Sequence, residues 1–136
     1  MKVKETIRNG WLDAIRTAID AGTGAGKIKF YDGTQPATGA AVTTQNLLGT
    51  VLFQDPCAPA ATGGVLTFAT PLVDDDDADA TGNATWARIT DSADQFVCDC
   101  SVGLSGSGAD IILNAVNIAE GGIVRVNSGT LTAGNA

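Results

Sequence analysis

The chain contains no histidine, and this absence removes more chemistry than any other feature of the sequence. Histidine is the commonest general base near neutral pH and the commonest imidazole ligand for a metal. Ser-His-Asp and Cys-His arrangements are excluded, and no motif supports a Ser-Lys alternative. Aromatic residues make up only 5% of the chain, with two Trp and one Tyr. That is thin material for a carbohydrate-binding face, which presents exposed rings on a concave sheet. No apolar run approaches the roughly 20 residues that a membrane-spanning helix needs. Beyond residue 30 positive charge is almost missing, with only Arg88 and Arg125.

The charge is therefore divided. Residues 1–30 hold six basic side chains (Lys2, Lys4, Arg8, Arg16, Lys27, Lys29) and three acidic ones, a net +3; the remainder carries −10. An acidic body repels a phosphate backbone, so direct nucleic-acid binding is not expected. The split either serves solubility or suits the basic N-terminal segment to an acidic neighbour.

What is abundant is small and flexible. The 136 residues include 17 glycines, and 44% of the chain is hydrophobic. A chain of this length forms one domain and buries roughly two-thirds of its unfolded surface, enough to fold without a metal or disulfide. The glycines imply many turns. Three cysteines (Cys57, Cys98, Cys100) are an odd number and do not suggest a secreted disulfide framework. Residues 1–20 are amphipathic, unlike the charged start and apolar run of a secretory leader, and synthesis in a reducing cytoplasm fits this reading.

Periodicity divides the chain into a helix at 1–22 and a β domain at 27–133. Val3, Ile7, Trp11 and Ile15 recur every four residues, widened by Leu12, Ala18 and Ile19. Gly22 supplies the stop. Gly10 conflicts with a helix, so either the helix starts there or Gly10 permits a close approach. Afterwards the period becomes two. Strands are expected at 28–31, 46–54, 65–69, 84–89, 95–102, 111–116 and 123–126, with a short eighth at 130–132 and a frayed end at 134–136. The clearest alternation sets Phe96, Cys98, Cys100 and Val102 on one face and Val97, Asp99 and Ser101 on the other. Gly103 to Gly108 reads as a hairpin turn. One helix and many short strands predict a mainly β fold, an antiparallel jelly-roll-like β-sandwich of seven or eight strands.

Three segments invite a chemical reading. Cys98 and Cys100 sit at the outer limit for a disulfide, and one intervening residue is not a common zinc spacing, so both read as small apolar residues. Cys57 lies in a loop expected to be exposed, and pairing with either of the others stays open. Asp74, Asp75, Asp76 and Asp77 lack the alternating ligand spacing of a calcium loop, and four adjacent carboxylates favour an extended, solvated segment, with an electrostatic contact to a basic partner as the alternative. The Gly-Thr-Gly-Ala-Gly-Lys run at 22–27 lacks phosphate-loop spacing and follows a helix. No cofactor, metal or catalytic residue is assigned. The candidate contact residues are Ile7, Trp11 and Ile15 on the helix and the four aspartates. Trp11 leads them because Trp is enriched at interface hot spots. Trp86, on a strand, is expected in the core.

The order of these segments resembles a family. An N-terminal Arg8-Asn9-Gly10-Trp11-Leu12-Asp13-Ala14-Ile15 helix is followed by Lys29-Phe30-Tyr31-Asp32-Gly33-Thr34-Gln35-Pro36. Then come Gly63-Gly64-Val65-Leu66-Thr67, the run from Ala78 through Trp86 to Ile89, Gly121-Gly122, and Leu131-Thr132-Ala133-Gly134-Asn135. This pattern is similar to small proteins encoded among the structural genes of tailed phages, and it covers nearly the whole chain. The resemblance implies a non-enzymatic virion component, made in the bacterial host cytoplasm. It points first to a capsid decoration, or cement, protein on the capsid surface, binding the major capsid protein as a homodimer or homotrimer. A tail, baseplate or fibre component is the alternative, and a carbohydrate-binding module a more distant one. Cys98, Cys100 and the four aspartates lie outside the shared pattern.

Overall fold

A computed structural model describes residues 1–134; the expected frayed end extends into residues 135 and 136, outside the described part. The described residues form one helix, α1 (Glu5–Ile19), and nine strands: β1 (Lys27–Tyr31), β2 (Leu47–Leu52), β3 (Val65–Thr67), β4 (Gly82–Asn83), β5 (Trp86–Thr90), β6 (Phe96–Gly103), β7 (Ile111–Leu113), β8 (Asn117–Ile118) and β9 (Val126–Thr132). Seven of them make one sheet in the order β2-β1-β5-β6-β7-β9-β3, and β4 pairs with β8 in a second, small one. The fold is mainly β, as the periodicity predicts.

The central strands follow from alternation. Ile28 and Phe30 point into the core, and Lys27 and Lys29 point out to share the Asp94 carboxylate at 3.0 and 2.8 Å. Their partners on β5, Ala87 and Ile89, are fully buried on the same face. The sheet curls round this apolar face until its two outer strands approach each other. Phe53, just after β2, meets Phe68, just after β3, edge to face with ring centroids 4.8 Å apart.

Four expectations need correction. The sheet is mixed, because β6 and β7 run parallel through Val102–Ile111 and Gly103–Ile112. Residues 104–110 are thus a crossover and not a hairpin turn. So short a crossover suffices because only two residue pairs overlap, and the chain need not traverse a full strand length. The expected strands at 123–126 and 130–132 are replaced by one continuous β9. Gly129 lies within it because a side chain there would strike Phe68 and Ile111. The strand expected at 111–116 ends at Leu113, and β4 and β8, two residues each, are too short to show a period. Trp86 is buried as expected, on the sheet face opposite the main cluster. It stacks on Tyr31 at 4.7 Å and donates its indole N–H to the Asp32 carbonyl, under the loop of residues 32–46.

The acidic segment is not a free, solvated loop either. Residues 73–79 run along the exposed edge of β2. Val73 exchanges backbone hydrogen bonds with Leu52, the Asp75 carboxylate accepts the Thr50 N–H at 2.8 Å, and Asp79 N–H reaches the Leu48 carbonyl. On its other side the segment pairs with residues 121–124, through Asp75–Val124 and Ala78–Gly122. An unpaired strand edge is a template for unwanted pairing, and this strap covers it.

The helix belongs to the core. Leu12 and Ile19 are 3% and 0% exposed and join the same cluster as Phe30, Leu66 and Ile111. Only Leu12 and Ile19 of α1 are buried, with Arg8 and Ile15 partly so, and the inward line is thus rotated from the expected Val3-Ile7-Trp11-Ile15 line towards Leu12 and Ile19. Polar residues tie α1 to residues 57–64. Glu5 accepts Gly63 N–H, Asn9 accepts Gly64 N–H, Asp13 accepts Ala61 N–H and Asp20 accepts Cys57 N–H, at 2.8 to 3.1 Å. Arg8 donates to the Ala133 carbonyl beside Gly64, whose φ of +76° and lack of Cβ leave room for the guanidinium. Burial beneath the helix, reinforced by the Asp20 charge, pushes the Cys57 thiol up to about 12. The expected exposed loop thiol is thus fully buried, and all three cysteines are free, so Cys57 pairs with neither of the others.

Gly10 resolves differently from both alternatives. The helix runs straight through it, it is exposed, and a Cβ there would meet nothing within 4 Å. Gly10→Ala is expected to stabilise the protein by about 0.5–1 kcal/mol, through lower unfolded-state entropy and higher helix propensity. Chemical denaturation of the two proteins measures it; a loss of stability would mean that the helix around residue 10 is packed differently.

Candidate interaction surface

The rotation of α1 leaves two large apolar side chains without cover. Ile7 and Trp11 lie one helical turn apart and are 50% and 49% exposed. Beside Trp11 is a groove of about 350 Å³ between α1 and the inner face of the sheet. Leu12 and Ile15 form its helix wall, and Cys98, Cys100, Asp110, Leu131 and Ala133 line the opposite side. Ile15 is half-buried and packs on the core. Of the three candidate helix residues, two therefore form an outward ridge and the third supports it.

The four aspartates divide in the same way. Asp74 pairs with Arg125 at 2.6 Å, and this contact raises the proton affinity of the guanidinium. Asp75 accepts the N–H groups of Thr50 and Asp77 and is part of the strap. Asp76 and Asp77 remain exposed. Asp77 and Asp79 approach Glu120 and Gly121 around a shallow acidic depression of about 550 Å³. Among the described residues no group of three or more Cys, Asp or Glu side chains is arranged to hold a metal ion.

Two polar clusters elsewhere, around Arg88 and around Ser101, are closed. Arg88 makes a two-point contact with Asp99 at 2.8 and 2.9 Å, donates to the Ala40 carbonyl, and lies over the rings of Trp86 and Phe96. The Asp99 hydrogen bonds raise the Arg88 proton affinity despite its burial. This cluster clamps the 32–46 loop onto the outer face of β5 and β6. The Ser101 hydroxyl donates to Asp110 at 2.8 Å and accepts the Asp110 N–H, a clip that holds the β6–β7 crossover. A serine bonded to a carboxylate with no base beyond it is not an activated nucleophile. Cys98 and Cys100 lie with sulfurs 3.9 Å apart, and their mutual hydrogen bond and burial raise the Cys100 thiol far above the ordinary range.

The sequence places Cys98 and Cys100 on one strand face, but does not show that α1 lies over that face. Leu131 and Ala133 carry no signal at all, because their role depends on β9 reaching the helix.

Comparison with protein-family models, with curated proteins and with solved structures finds no match for this chain.

Adjacent helix residues should respond in opposite ways. Leu12→Ala is expected to cost about 2–5 kcal/mol by opening a core cavity. Trp11→Ala should cost about 1 kcal/mol or less, since half of the ring is already in water. Denaturant unfolding of both variants checks this, and equal losses would place Trp11 in the core.

Proposed function

We propose that the chain is a non-enzymatic structural protein of a tailed-phage virion, a capsid decoration protein that binds the major capsid protein and stabilises the head. The observation that carries the reading is the Ile7–Trp11 ridge: an uncovered Trp on a helix whose opposite side is locked into the core. A large aromatic held rigidly at the surface contributes contact area at low entropy cost, and Trp is the commonest kind of interface anchor. The resemblance of its segment order to small phage structural proteins supplies the class. In this reading the curled sheet with its helix is a jelly-roll-like sandwich. Asp76 and Asp77 offer a second, charged contact to a basic surface.

A decoration protein acts through number. Weak contacts repeated over a symmetric shell add up by avidity, and a closed homodimer or homotrimer multiplies them again. Capsid subunits bridged in this way resist separation when the head is filled. Neither nucleic acid nor membrane takes part, given the acidic body and the want of any helix long and apolar enough to cross a bilayer among the described residues.

The test is stoichiometric. Quantitative mass spectrometry of purified particles should find the chain at a copy number comparable with that of the major capsid protein, and added Trp11→Ala protein should bind stripped heads far more weakly than wild type. A copy number matching tail parts would replace this reading with a tail, baseplate or fibre component. Absence from particles would end the virion reading altogether.

A further inference from the structure

We propose that Cys98 and Cys100 form a two-thiol binding site for a thiophilic d10 cation of the zinc and cadmium type, opening into the groove between α1 and β6. The inference is independent of the virion reading, because it rests on two side chains and the space beside them.

The geometry comes from the strand. Residues two apart on β6 project from one face, so both sulfurs point the same way. They are 3.9 Å apart. Two sulfurs on a tetrahedral ion with metal–sulfur bonds of about 2.3 Å stand about 3.8 Å apart. The pair is thus already set to the bite of such an ion. A disulfide, in contrast, requires sulfurs about 2.05 Å apart, and an extended strand would have to pinch to reach that. The dithiol is held short of self-oxidation and near chelation.

Access agrees with this. Cys98 is only half-buried, and both cysteines line the 350 Å³ groove, which gives an ion a path. Asp110, its carboxylate bonded to Ser101, lines the same groove. With no third Cys, Asp or Glu in ligating position among the described residues, water completes the coordination. The spacing rule for closed zinc sites, two to four intervening residues, applies to sites that take all four ligands from the protein. It does not bind an open two-donor site. On binding, two S–H bonds break, two metal–sulfur bonds form, and two protons pass to solvent.

Titration of the reduced full-length chain with cadmium(II), followed by ultraviolet cadmium–thiolate charge-transfer absorption, tests the site. A band saturating at one ion per chain is expected, lost in Cys98→Ser and in Cys100→Ser and kept in Cys57→Ala. No band in wild type, or a band surviving both serine substitutions, overturns the proposal. Because a hydroxyl at buried position 100 can itself disturb folding, a second measurement uses wild type alone. Cadmium(II) should suppress alkylation of Cys98 by iodoacetamide, mapped by mass spectrometry, and unchanged labelling of Cys98 would overturn the proposal equally.

Discussion

A sheet that curls round its own apolar face leaves a mouth, and the burial of Leu12 and Ile19 in that mouth is the contact on which the rest of the structure depends. Ile19 is wholly buried and Leu12 nearly so, among side chains from both halves of the sheet. Without them Phe30, Leu66 and Leu131 would share their cavity with water. Apolar burial supplies the drive, at about 25 cal/mol for each Å² removed from water. Hydrogen bonds supply the placement. Asn9, Asp13 and Asp20 accept the backbone N–H groups of Gly64, Ala61 and Cys57. Leaving such donors unmet in a buried place would cost about 1–3 kcal/mol each.

The orientation fixed by this seam decides what the surface offers. With Asn9, Asp13 and the Arg8-Leu12-Ile19 line turned inward, Ile7 and Trp11 must face out. One helix thereby both closes the core and presents the largest exposed aromatic of the chain. The strap along β2 works similarly: Asp74 and Asp75 serve the fold, and Asp76 and Asp77 are left to solvent. In both places a contact surface is the outer side of a structural closure, which keeps it rigid before any partner arrives.

Much of the fold was legible in the sequence because alternation reports burial directly. Ile28 and Phe30 against Lys29 and Tyr31, and the long Phe96-to-Val102 segment, read as the strands they form, although Phe96 lies with Arg88 on the outer face and not with Cys98 and Cys100. The helix was legible too, but its rotation was not. Hydropathy favours the line through Trp11, and the real inward line includes Arg8, with Asn9 and Asp13 at its border, which reach hydrogen-bond partners some fifty or more positions away. The same limit hid the strap. Four consecutive aspartates look repulsive and solvated until Arg125 and the Thr50 N–H are brought beside them. The parallel β6–β7 pair escaped because its crossover looks like any Gly/Ser turn. Of the candidate contact residues, Ile7, Trp11, Asp76 and Asp77 lie at the surface, and Ile15, Asp74 and Asp75 are committed to the fold.

In this fold the helix is part of the core and not an appended arm. The direct measurement is thermal unfolding of the chain beginning at residue 22, followed by near-ultraviolet circular dichroism of the Trp86–Tyr31 stack, which the truncation leaves in place. Loss of the cooperative transition and of that signal is predicted. A truncated protein that melts cooperatively with the stack intact would contradict the account, and would return α1 to the status of a free docking arm.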